Sequence, residues 1–61
     1  MDELTWLKNE MSKTAEYIQW CVRNLWKSKT LAEFSMIFKR QNELQDLQQK
    51  LRYRVAELVS Q

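Results

Sequence analysis

The chain contains no glycine, no proline and no histidine, and its 61 residues include one cysteine, Cys21. Each absence closes off a class of chemistry. Without His, the commonest general base and the commonest metal-binding imidazole are missing. A single thiol cannot form an internal disulfide, and alone it cannot build a zinc site. There is no Gly-rich loop to cradle a phosphate, and no Ser or Cys stands in a nucleophile motif beside a base. Glu10, Glu16, Glu43 and Asp46 read as solvated charges on helix faces, not as paired catalytic carboxylates. No catalytic residue, metal ligand or cofactor is expected, and the sequence reads as that of a non-enzyme.

Length points the same way. Residues 1–61 make one domain, and a compact chain of this size buries only about 60% of the surface its unfolded form exposes. Small folds usually add disulfides, a metal or a partner subunit. The first two being excluded, oligomerisation remains. The acidic, mixed opening MDELTWLKNEM is unlike a signal peptide, and no apolar run approaches the length of a membrane span. A lone free thiol fits a reducing compartment. A cytoplasmic protein is expected, with Cys21 as a small, half-buried apolar side chain.

With no residue to force a break, one long helix has to be tested first. Leu4, Met11, Ile18 and Leu25 recur every seven residues, with Leu7, Thr14 and Cys21 between them. Continued past Leu25, that register meets Ser28, Ala32, Ser35 and Lys39, and the apolar seam vanishes. A second seam, Ile37, Leu44, Leu51 and Leu58, starts in another phase, so a turn is expected between them. Thr30-Leu31-Ala32-Glu33 supplies the capping box: the Thr30 hydroxyl accepts from the Glu33 amide and the Glu33 carboxylate reaches back to the Thr30 amide. Asp2 serves as the first N-cap, and Lys27 and Lys29 suit the dipole at the end of the first helix. The fold class is all-α: an antiparallel hairpin with helices at about 3–27 and 31–59 and a turn at 28–30. The heptads give it coiled-coil character, and hairpins of this kind pair into dimeric four-helix bundles.

Laid out at about 100° per residue, the first helix carries two apolar sets. Leu4, Leu7 and Met11 share an arc with Ala15, Ile18, Val22 and Leu25, and Trp26 stands at its margin. Trp6, Tyr17 and Trp20 fall together in another arc, roughly 140° away. On the second helix the main arc holds Ile37, Leu44, Leu47, Leu51, Val55 and Leu58, with Leu31, Phe34, Phe38, Ala56 and Val59 to one side. Gln41 and Gln48 fall beside this seam, either inside it, where they would fix register, or at its wet edge. A lone hairpin cannot hide both apolar sets, and Trp and Tyr are enriched at interface centres. Trp6, Tyr17, Trp20, Phe34 and Phe38 are therefore the candidate protein interface. The expected cover over the Trp6, Tyr17 and Trp20 line is a second copy of the chain, and a different protein is the alternative.

The net charge is +2, distributed unevenly. Arg23, Lys27, Lys29, Lys39 and Arg40 face only Glu33 within residues 21–40, so the hairpin tip is the basic part. Those five residues are candidate nucleic-acid contacts, with Trp26 or Phe34 available to stack. In layout alone the chain resembles the Rop-type copy-control hairpins, which dimerise into four-helix bundles and bind paired RNA loops. That resemblance implies an RNA- or DNA-binding alternative and carries no residues over. Membrane-surface attachment would use the same basic and aromatic side chains and ranks last, because both helices already have apolar stripes suited to each other. The composition is similar to that of small bacterial or phage accessory proteins. The sequence thus predicts a self-associating interaction module that regulates, inhibits or adapts a partner protein of unknown identity.

Overall fold

In the computed structural model, which describes residues 2–60, the chain forms two α-helices, α1 (Glu3–Leu25) and α2 (Leu31–Val59), packed antiparallel along their length. The body is a rod, 47 × 16 × 13 Å. Its radius of gyration of 14.2 Å exceeds the value of about 10.5 Å for a compact domain of this length.

Both helix starts follow from their caps. Asp2 is extended (φ −81°, ψ 160°) and its carboxylate accepts from the Thr5 amide at 2.7 Å. Thr30 is extended too (φ −129°, ψ 158°), and its hydroxyl accepts from the Glu33 amide at 3.1 Å. The return bond of this capping box differs from the expected one: the Glu33 carboxylate accepts from the Lys29 amide at 3.0 Å, one residue before Thr30. It thereby ties the turn itself to α2.

The first helix stops at Leu25, two residues earlier than the heptad run and the lysines imply. Helices often end on a left-handed residue, usually glycine, yet no described residue has a positive φ. The end is closed by side chains and tight turns instead. The amide of Lys27 donates to the Asn24 carbonyl (3.1 Å), and that of Ser28 to the Leu25 carbonyl (3.3 Å). The Ser28 hydroxyl adds a bond to the Asn24 carbonyl at 3.0 Å, and the Asn24 side-chain amide donates to the Trp20 carbonyl at 2.8 Å. Carbonyls that lack an intrahelical partner are satisfied this way without glycine.

The core is a narrow coiled-coil seam. Leu7, Thr14 and Cys21 of α1 are buried, as are Leu44 and Leu51 of α2. Two expectations change here. Thr14 and Cys21, which stand between the apolar heptad positions, are buried, whereas Val22, grouped with the core arc, is exposed. Leu47, placed in the main arc by the wheel, is also exposed. The reason is width: one facing helix covers a strict heptad stripe, narrower than the apolar arc the sequence supplies. Cys21 is consequently the most completely buried side chain, 1% exposed rather than half-buried. Thr14 is tolerated because its hydroxyl donates to the Glu10 carbonyl at 2.7 Å, one turn back.

Candidate interaction surfaces

The buried positions fix a heptad register. Leu7, Thr14 and Cys21 take position d on α1, with Leu4, Met11, Ile18 and Leu25 at position a. On α2, Leu44 and Leu51 are at d, and Phe34, Gln41, Gln48 and Val55 at a. In an antiparallel pair the g positions of both helices line one broad face and the e positions line the other. The salt bridge between Glu3 and Arg54, both at g, follows this rule. So does a groove in which Trp20 of α1 faces Met36, Arg40 and Glu43 of α2.

The g face is densely charged and internally paired. Lys13 meets Glu10 at 3.6 Å, Arg40 meets Glu43 at 3.4 Å, and Lys50 meets Asp46 at 3.2 Å. Arg54 bridges both Glu3 at 2.9 Å and Glu57 at 3.8 Å. These are all the ion pairs among the described residues, and each lies on the g face or at its edge. Trp6, Tyr17 and Trp20 stand among them, each about half exposed. Trp20 borders two shallow grooves, one shared with Glu16, Tyr17 and Arg23, the other with Met36, Lys39 and Arg40.

The e face is the opposite in character. Along α1 its e and b positions are Thr5, Lys8, Ser12, Ala15, Gln19 and Val22. Along α2 the e positions are Leu31, Phe38, Gln45, Arg52 and Val59, and the b positions between them are uncharged. Among the described residues, Lys8 and Arg52 are its only charges. Phe34 and Phe38 stack here in parallel, ring centroids 6.0 Å apart and planes 9° apart. Trp26, just past α1, continues this side at 88% exposure.

The five candidate interface residues therefore do not form one surface. Trp6, Tyr17 and Trp20 share the g face, while Phe34 and Phe38 belong to the e side. Leu31, grouped with Phe34 and Phe38 by the sequence, is 81% exposed and extends the e face; Met36, 73% exposed on the g side, was missed. Counting heptads on α2 from Leu44 and Leu51 would have found Met36.

The five basic candidates are distributed around the tip. Arg23 lies on one side of Trp20, and Lys39 and Arg40 lie on the other. Lys27 lines a neighbouring groove with Asn24, Ser28 and Glu33, and Lys29 sits in the turn. Glu16, Glu33 and Glu43 interrupt the positive charge, and Arg40 is already paired with Glu43. Among the described residues, no cluster of carboxylate and thiol groups is suited to hold a metal, and no helix is long and apolar enough to cross a membrane.

The two seam glutamines take the first of the two positions the sequence allows. Both sit inside the seam at position a, and the side-chain oxygens of Gln41 and Gln48 are buried without a hydrogen-bond partner within the hairpin. Compared with known protein families, curated proteins and solved structures, the chain matches none.

Proposed function

We propose that the protein is a non-enzymatic interaction module, a helical hairpin that works as a self-associated assembly and acts on a partner protein as a regulator, inhibitor or adaptor. The observation that carries this reading is surplus surface. The hairpin exposes 5140 Å², whereas a compact monomer of 7.5 kDa exposes about 4250 Å². The excess of about 900 Å² matches the roughly 800 Å² that each partner contributes to a standard protein interface. It is also apolar in the right way, because large side chains such as Leu31, Phe34, Phe38 and Val59 stay exposed after the hairpin closes. The seam alone is thin support for a free monomer, with Leu7, Cys21, Leu44 and Leu51 the only buried apolar side chains among the described residues.

The test is thermal unfolding at several protein concentrations. A fold completed by association melts at a temperature that rises with concentration, by mass action. A midpoint independent of concentration, with a monomer mass throughout, would remove the self-association reading.

A nucleic-acid reading has one observation in its favour: Trp20, a ring able to stack on a base, is bordered by Arg23, Lys39 and Arg40. Phosphate binding at this tip would weaken steeply with added salt. An absence of RNA and DNA binding at low salt would dismiss it.

A further inference from the structure

The way the seam is buried is asymmetric. Position d is sealed on both helices over the middle of the hairpin, at Thr14, Cys21, Leu44 and Leu51. Position a is left half-open on both helices, at Met11, Ile18, Gln41 and Gln48 among others. On a helix wheel a adjoins e and d adjoins g. The core is therefore closed beneath the charged face and open beneath the charge-poor face. The sequence carries the same offset. The apolar arc of α1 that includes Ala15 and Val22 is centred about 60° from its buried residues, rotated toward e. A stripe of a, d and e positions is what a helix in a four-helix bundle presents, one flank wider than a two-helix seam needs.

We infer that the e-side face is the self-association surface, covered by the same face of a second copy, and that the Trp6, Tyr17 and Trp20 line stays on the outside of that dimer. The inference rests on the self-association reading above and adds which face is used. One further argument chooses it over the g face, and the size of the face suits a dimer. Burying the e face desolvates only Lys8 and Arg52, whereas burying the g face removes water from a network of paired carboxylates and cations, at a cost their mutual attraction does not reliably offset. The rod's broad face, 47 × 16 Å, spans about 750 Å², close to the roughly 800 Å² per partner of a standard interface.

The occupancy of the face is read directly by pulsed electron paramagnetic resonance on the intact protein. Cys21→Ala removes the native thiol, and a nitroxide is then attached at Gln45→Cys or, separately, at Glu43→Cys. Both sites are exposed and close to the middle of α2, so each label meets its counterpart at similar height in a full-length two-fold dimer; Gln45 is on the e face and Glu43 on the g face. The expected result is a short inter-copy distance from position 45. The distance from position 43 should be longer by more than the 10–12 Å thickness of one helix. A shorter distance from position 43 overturns the choice of face and leaves self-association intact. No inter-copy coupling from either site, together with a monomer mass, overturns self-association itself. A second comparison uses sedimentation: Phe38→Glu should shift the mass toward monomer or unfold the chain, while Trp20→Glu keeps the dimer mass. The reverse pattern also overturns the assignment.

Discussion

Glu3 and Arg54 are 51 residues apart in the chain and meet through two parallel hydrogen bonds, 2.9 Å from Nε and 3.1 Å from Nη2. This fork joins the first turn of α1 to the last turns of α2 and closes the end of the hairpin opposite the turn. The Glu3 carboxylate, by hydrogen bond and by charge, raises the Arg54 pKa further above its already high ordinary value. The pair is exposed, so its effect is modest and screened by salt. Arg54→Gln is expected to lower the melting temperature by a few degrees in low salt and by less in high salt. Equal losses at both salt concentrations would mean the side chain acts through packing rather than charge.

Thr30 starts α2 and holds the turn at once. Thr30→Ala removes the acceptor for the Glu33 amide and should cost about 1 kcal/mol of stability, as loss of an N-cap usually does. Glu33→Gln can still accept at Lys29 and should cost less. Denaturant midpoints of the two variants check the order.

Cys21 is the most buried side chain of the hairpin, although it is the only thiol and lies one residue from exposed Trp20. Its reaction with a thiol reagent requires the seam to open. The native protein is expected to react orders of magnitude more slowly than the denatured chain. A native rate close to the denatured rate would show that Cys21 does not occupy the seam.

The carboxyl of Asp2 is held below its ordinary value of 3.8, chiefly by the Thr5 amide that it caps. A lowered pKa means the ionised form favours the fold. Its contribution is complete above the ordinary value and is lost as pH falls through the depressed one. Acid should therefore fray the start of α1 first, visible as a shift of the Thr5 amide resonance. Asp2→Asn, which caps without ionising, should abolish that pH dependence.

Gln41 and Gln48 place polar groups where the seam could hold leucine. Replacing both with Leu should raise the melting temperature, since two buried oxygens unpaired within the hairpin disappear. It should also loosen the choice of partner number, because polar a positions commonly fix oligomeric state. Sedimentation of the double variant is expected to require more than one species.

Much of this architecture was legible in the sequence, for reasons particular to individual residues. The phase slip between the Leu25 and Ile37 seams located the turn, and Thr30 with Glu33 fixed the start of α2 at the residue observed. The end of α1 was not legible, because Asn24 and Ser28 stop it with side-chain bonds that no glycine announces. The wheel also misplaced Val22 and Leu47. It groups residues by apolar direction, and burial depends on how wide a stripe the facing helix covers. The same limit grouped Trp20 with Phe38, since one helix wheel does not show on which side of its partner a residue emerges.

The central claim is that this hairpin works as a pair, and its native mass tests that most directly. Sedimentation equilibrium is expected to give about twice the chain mass of 7.5 kDa, with dissociation on dilution. A single species of 7.5 kDa at every concentration, with both helices still folded, would contradict it.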